Sequence, residues 1–311
     1  MKKLTLVGFN TDYGRLDVDR IRRDYNVDHI SLPPLVISFL LRLNSLSSTL
    51  YLLVVRAVFD FYLRRISSES ILITDDNVVS LAAHFSRRVS GHRKILIFRN
   101  IFNGNFDLSS LSNVEKYSFD KNDCVKYNLN LYNQYCSGFE YLLSNSTSNK
   151  KEFDFYFLGL NKNRKNILEK LQVVLTEFDT RIEVKEKATG FKKFSKFILR
   201  DKKYHHEPYI THLANILSCR VVIDILQKGQ SGITMRTLEA LISGKKIITN
   251  NYSIKYEPFY DSNKIMIIGN DFHHSKDEIR GFLEEVCDGY DNISLGDFDV
   301  RRVFNLIIEG S

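Results

Sequence analysis

The chain has 311 residues, long for one compact domain and comfortable for two, and its 43% hydrophobic and 26% charged content excludes a disordered chain and predicts ordinary buried cores. Its net charge of +7 and pI near 9.0 suit an anionic ligand, an anionic membrane face or nucleic acid, without choosing among them. Lys and Arg are spread along the chain rather than clustered with interleaved aromatics, which argues against nucleic acid, a partner that would announce itself by steep salt dependence.

KLTLVGF opens the chain as an apolar strand, and MKKLTLVGFN runs into polar TDYGRLD instead of an apolar stretch, so no signal peptide is expected. Cys124, Cys136, Cys219 and Cys287 share no CxxC spacing and are expected to be reduced core thiols of a cytoplasmic protein. GFNTDYG, after the first strand, reads as a tight loop that presents Asp12. The apolar stretch LPPLVISFLLRLNSLSSTLYLLVVRAVFDFYLRR is cut by Arg42, Arg56 and Asp60, leaving 13 uncharged residues from Leu43 to Val55, short of the ~20 a membrane span needs. Two helices broken near Asn44 and Ser45 are predicted. Their apolar faces serve either core packing or contact with lipid or a lipid-linked acceptor.

Strand-like runs follow at ILIT, KILIFRN and VEKYSF, with DNVVSLAAHFSRRVSG as a helix that ends at Gly91. The alternation of strand and helix predicts a parallel α/β sheet. The polar cluster SNSTSNK is the expected linker between an N-terminal domain, residues 1–150, and a C-terminal one, residues 151–311. Past it the alternation restarts. FDFYFLGL, TRIEVKEK, CRVVIDIL, KKIITNN and KIMIIG read as strands, and NKNRKNILEKLQVVLTEF, EPYITHLANILS and segments near 277–287 and 299–308 as helices.

The chemistry concentrates in GQSGITMRTLEALISGKKIITNN, residues 229–251. CRVVIDIL delivers the chain to the carboxyl end of a central strand, where open α/β sheets place ligands. Gln230 and Ser231 lie between Gly229 and Gly232, and a helix that begins near Ile233 points its unsatisfied amides at that loop, a geometry suited to phosphate oxygens. Ser231 and Thr234 add hydroxyls, Arg236 can grip a diphosphate bidentately, and Glu239, on the same helical face, can accept both hydroxyls of a ribose. A capped helix with an Arg–Glu surface pair satisfies the same spacing. The stretch is neither a Walker A nor a GxGxxG sequence, so ATPase and NAD chemistry lose support.

GLNKNR sits in the turn after the first strand of the second half. Gly159 there permits close approach of backbone to ligand, and Lys162 and Arg164 can neutralise a second phosphate or lie solvated in an ordinary turn. Adjacent His205 and His206 in YHHEP point apart on any regular element and lack a further ligand at helical spacing. His273 and His274 read as the start of a surface helix, and no metal-dependent chemistry or bound cofactor is expected. Asp12 is the leading candidate for a general base, with Asp75 and Asp76 as alternatives; any of them can instead be a loop cap.

VVIDILQKGQSGITMRTLEALISGKKIITNN followed by IKYEPFY, with SFDKNDCVKYNL upstream and FDFYFLGLNKNRKNIL between, resembles the GT-B-fold glycosyltransferases of bacterial surface polysaccharide clusters, which make O-antigen, lipopolysaccharide core and capsule. The resemblance covers roughly residues 95–262, is most specific at GQSGITMRTLEAL, and thins over the first ninety positions. It implies two Rossmann-like domains facing across a cleft, with a nucleotide sugar on the C-terminal one and a glycan acceptor, lipid-linked and met at the inner membrane face, on the N-terminal one. It also implies that Gly232, Thr234 and Arg236 face the diphosphate and Glu239 the ribose. The E-x7-E signature of many retaining members is absent, since Ser231 stands eight residues before Glu239; the anomeric outcome stays open. A non-catalytic nucleotide- or polysaccharide-binding module on the same fold is the rival expectation.

Overall fold

The structure, a computed structural model, describes residues 1–31, 46–64, 69–76, 91–102, 107–146, 151–185, 207–269, 274–290 and 293–309, with isolated positions 39, 43, 66, 67 and 104. Residues 77–90 of the expected helix DNVVSLAAHFSRRVSG, most of the first helix of the apolar pair, the YHHEP histidines and His273 lie outside the described residues. The chain forms two compact units, one containing Met1–Tyr132 and the other Asn133–Lys187 and Lys202–Ser311.

In the first unit, strands β1 (Lys3–Val7), β2 (Asn26–Ile30), β3 (Ile71–Asp75), β4 (Lys94–Phe98), β5 (Glu115–Ser118) and β6 (Asn130–Leu131) form a sheet in the order β2-β1-β3-β4-β5-β6. The pairings are parallel throughout. β4 is buried at all five residues, as a strand covered on both faces must be. β2, NVDHI, is half polar and lies at the edge.

Helix α1 (Asp12–Ile21) starts inside GFNTDYG, which is therefore loop only up to its cap: the Thr11 side chain accepts from Gly14 N and fixes the first turn. Gly14, Asp17, Val18 and Ile21, at three- and four-residue steps, face inward. Helix α2 (Ser48–Leu63) buries Val55 and Phe59 against Val7 and Leu72. α3 (Lys121–Tyr127) is capped by Asp120 and ended by Asn128 in the left-handed region. Among the described residues no helix is long and apolar enough to cross a membrane.

The second unit has α4 (Phe139–Asn145) as its first helix, which ends within SNSTSNK. There follow β7 (Phe153–Leu160), α5 (Lys165–Val174), β8 (Thr180–Lys185), α6 (Tyr209–Ser218), β9 (Cys219–Asp224), α7 (Met235–Ile242), β10 (Lys246–Thr249), β11 (Ile265–Ile267), α8 (Lys276–Glu284) and α9 (Val300–Glu309). α4 packs on α6 and α7, and Gly138, just before it, lies so close to Leu213 that an added Cβ would sit 2.5 Å from the leucine. The parallel sheet runs β11-β10-β9-β7-β8. Phe155 and Phe157 from β7, Val221 and Ile223 from β9, and Leu168 and Leu171 from α5 form its core. Each fully buried side chain contributes about 1.5–3 kcal/mol.

In both sheets the first strand pairs with the second on one side and the third on the other. Strand order thus reverses between β1 and β3 and between β7 and β9. The carboxyl ends of those strands are where such sheets leave a ligand crevice. Cys124, Cys136, Cys219 and Cys287 form no disulfide, and burial pushes the Cys219 thiol up to about 12, so it is a packed apolar group and not a nucleophile.

Candidate functional site

Asp224 ends β9 at the reversal point of the second sheet and is fully buried. One of its oxygens accepts from the Thr234 hydroxyl at 2.7 Å and the Thr237 hydroxyl at 2.6 Å, and the other from Arg236 Nη1 at 3.3 Å. Thr234 has extended backbone and its hydroxyl oxygen accepts from Thr237 N at 3.0 Å, so it is the N-cap of α7. The helix therefore starts at Met235, not near Ile233. Thr234, expected to offer its hydroxyl to an anion, instead spends that hydrogen on Asp224.

The guanidinium of Arg236 lies over the Phe157 ring, 4.7 Å from its centroid, and Nη2 donates to Leu158 O at 2.5 Å. Arg164, reached through GLNKNR, lies 5.5 Å from the same ring centroid and donates to Ile225 O and Leu160 O, each at 2.7 Å. A Cβ on Gly159 would stand 3.1 Å from Arg236 Nη2 and 3.4 Å from Arg164 Nη2. The absent side chain is what lets the two cations gather at the end of β7. Burial, and then the neighbouring Arg236 charge, push the Arg164 guanidinium down to about 10. Arg236 is ion-paired to the Asp224 carboxylate, whose charge also acts on Arg164, and the Nε–H of each guanidinium has no hydrogen-bond partner. The site is a built cationic pair with donors to spare, at the start of α7.

The flanking loops are shaped for this edge. Gly229 has φ +89°, which favours glycine, and Gln230 N closes a turn onto Gln227 O at 3.1 Å. Ser253 Oγ donates to Ser231 O at 2.9 Å and ties the segment that holds Gly232 to the stretch after β10. In GLNKNR, Lys162 and Asn163 adopt φ of 40° and 65°, costly for residues with a Cβ and of a kind that clusters at ligand sites. Lys162 is exposed there.

Glu239 departs from the expected picture. It does not share an exposed face with Arg236 but is 1% exposed, with Oε1 accepting from the Tyr209 hydroxyl at 2.6 Å and Oε2 from His212 Nε2 at 3.0 Å. His212 Nδ1 faces the Tyr156 hydroxyl at 2.9 Å. Beyond it, Asn215 reaches Tyr156 at 3.4 Å and accepts from Arg181 Nη1 at 2.8 Å. Sequence reasoning missed His212, yet a signal exists: Tyr209, His212 and Asn215, three apart, form a polar stripe on an otherwise apolar helix.

At the reversal point of the first sheet, Gly8 has φ +96°, and Phe9 N donates to Asp75 Oδ2 at 3.0 Å. A Cβ on Gly8 would fall 2.3 Å from Asp75 Oδ1, so only glycine fits. Asp76 Oδ2 accepts from Asn100 N and Nδ2, both at 3.0 Å, while its buried Oδ1 has no partner. Burial pushes the Asp76 carboxyl up. Asp12 is the exposed first residue of α1. Asp17 in the next turns forms a buried ion pair with Arg99 at 2.6 Å.

No protein-family model matches the sequence, and no curated protein matches it. In fold the chain is similar to the UDP-GlcNAc 2-epimerase of Methanocaldococcus jannaschii, solved in complex with UDP-GlcNAc and UDP, with a TM-score of 0.52 and 13% identity over 99% of both chains. It is also similar to a trehalose-6-phosphate synthase, with a TM-score of 0.52 and 10% identity over 95% of this chain and 84% of that one. The likeness shows the fold class: two Rossmann-like, parallel-sheet α/β domains of the GT-B type.

Proposed function

We propose that this chain is a glycosyltransferase that takes a sugar from a nucleotide-diphosphate donor and passes it to a glycan acceptor of the bacterial surface. The observation that carries the reading is the cationic pair of Arg164 and Arg236, of which Arg236 is ion-paired to Asp224, at the reversal point of the second sheet beside the start of α7. In the transfer step the bond from the anomeric carbon to the diphosphate oxygen breaks, its electron pair goes to that oxygen, and an acceptor hydroxyl oxygen bonds the anomeric carbon. Guanidinium groups held before reaction stabilise the departing diphosphate. Gly159, Lys162, Gln230, Ser231 and Gly232 frame the phosphates, and Glu239 takes the ribose.

The acceptor is assigned to the carboxyl edge of the first sheet. If the reaction inverts, a carboxylate there takes the hydroxyl proton. Asp12 offers exposure, and Asp76 offers a carboxyl that burial pushes up, which makes its carboxylate the stronger base. Lipid linkage of the acceptor is supported by α2, whose outward Leu50, Leu53 and Phe61 are exposed beside Arg56 and Arg64.

The test is product analysis with a panel of nucleotide sugars, with and without surface-glycan acceptors. The reading expects nucleotide diphosphate to appear only with acceptor. Two other results would replace it. Conversion of UDP-GlcNAc without acceptor would point to an epimerase, as in the neighbour from Methanocaldococcus jannaschii, and binding without turnover would point to a non-catalytic module.

A further inference from the structure

We infer that His212, held between Tyr209 and Tyr156, is a positioning residue that aims the Glu239 carboxylate at a vicinal diol and thereby sets a preference for ribonucleotides over 2′-deoxyribonucleotides. The inference rests on the nucleotide-diphosphate reading above and extends it to residues that reading does not use.

The hydrogen-bond polarity admits one consistent assignment for a neutral imidazole. Glu239 as a carboxylate only accepts, so His212 Nε2 carries the hydrogen in its 3.0 Å contact. Nδ1 is then the acceptor, and the Tyr156 hydroxyl 2.9 Å away donates to it. The Tyr156 oxygen in turn accepts from Asn215 Nδ2. Tyr209 donates to the other Glu239 oxygen at 2.6 Å. One neutral donor sits on each oxygen, which prevents the carboxylate from rotating about its last torsion.

His212 is itself clamped. Its ring stacks on Tyr209 with centroids 5.8 Å apart and planes at 27°, and lies 5.4 Å from the Tyr156 ring. Tyr209 and His212 are three residues apart on α6, and Tyr156 rises from β7, the strand that also carries Gly159. The clamp is thus built on rigid elements of the sheet that holds the cationic pair.

A carboxylate has about four lone-pair positions, two on each oxygen. Tyr209 and His212 fill one on each, so one remains on each oxygen, the pattern that two adjacent hydroxyls of a ribose complete. With 1% exposure the group does not meet bulk water, so the remaining donors must come from a bound molecule or an enclosed water. A ligand lacking the 2′-hydroxyl leaves one buried lone pair unmet and binds more weakly.

The experiment measures affinities of the full chain for UDP, GDP, CDP and ADP and for the 2′-deoxy counterpart of each that binds. Wild type is expected to prefer the ribonucleotide by about tenfold, the scale of one hydrogen bond to a charged group. His212→Phe should bring the ratio close to one while 2′-deoxy affinity changes little, and His212→Gln, which keeps a donor towards Glu239, should restore part of it. Tyr156→Phe, which removes only the hydroxyl behind His212, should lower the ratio as well and carries the test if His212→Phe does not fold. A wild-type ratio near one, or an unchanged ratio in folded variants, overturns the inference while leaving the nucleotide reading intact. Absence of binding by all four nucleotides overturns both.

Discussion

Arg236→Ala separates the site's chemistry from its stability. The substitution removes a bond to Asp224 at 3.3 Å, a bond to Leu158 O at 2.5 Å and the contact with Phe157. Hydrogen bonds from charged donors contribute about 1.5–3 kcal/mol each. Two features offset that loss. Asp224 keeps the Thr234 and Thr237 hydroxyls on Oδ2, although its Oδ1 loses Arg236, and Arg164 is relieved of the like charge that helps push it down to about 10. The net cost should be about 1–2 kcal/mol, a fall in Tm of roughly 2–8 °C. Against a typical total of about 5–15 kcal/mol, the variant stays folded at room temperature. Transfer should nonetheless fall about 100- to 1000-fold, the usual cost of removing one preorganised donor from a developing anion. Arg236→Lys, which keeps the charge and loses the planar fork, should lie between. The assay is initial-rate transfer alongside thermal melting of the same preparations. Activity within about threefold of wild type in folded Arg236→Ala would refute the diphosphate role, as would a loss that merely tracks the unfolded fraction.

Gly159→Ala places a methyl group 3.1 Å from Arg236 Nη2 and Phe157 Cζ; it should raise the KM for the donor with little change in Tm, read from donor titrations. Thr234→Ala deletes both the cap on Thr237 N and the donation to Asp224 and should cost about 1–2 kcal/mol in denaturant unfolding. For Asp76, burial raises the carboxyl above its ordinary value of 3.8. The folded state then holds its proton to higher pH than the unfolded one, so the stability it gives is full below that value and is lost as pH rises through the folded value. Asp76→Asn does not titrate, so its Tm relative to wild type should climb as pH rises above 3.8; a constant difference would contradict the shifted carboxyl. If the reaction inverts and Asp76 is the base, Asp76→Asn should abolish transfer and Asp12→Asn should not, with the reverse result assigning the role to Asp12.

The inner strands of the second unit, β7, β9 and β10, were legible because each is a short apolar run with a buried centre; FDFYFLGL forms β7 from end to end. The site edge was legible for a related reason, since a glycine-bearing loop, a Thr cap and a short helix after a buried strand fix where the chain turns. Tertiary choices were not. Nothing local says that Thr234 spends its hydroxyl on Asp224, or that Glu239 meets Tyr209 and His212 of α6. β2 escaped notice because an edge strand with polar alternation lacks the apolar signature. α1 escaped because DYGRLDVDRI buries Gly14 and Asp17 where hydrophobic spacing expects larger apolar groups. The domain boundary was sought in SNSTSNK for its polarity, whereas the Phe139 and Leu142 side chains of α4 are buried before it is reached.

Calorimetric titration of the protein with UDP, GDP, CDP and ADP, each beside its nucleoside and its monophosphate, tests the cationic pair most directly. At least one diphosphate should bind more tightly than its monophosphate, and far more tightly than its nucleoside, with the difference lost in Arg164→Ala and Arg236→Ala. Equal affinity for nucleoside and diphosphate, or binding untouched by either substitution, would contradict the account.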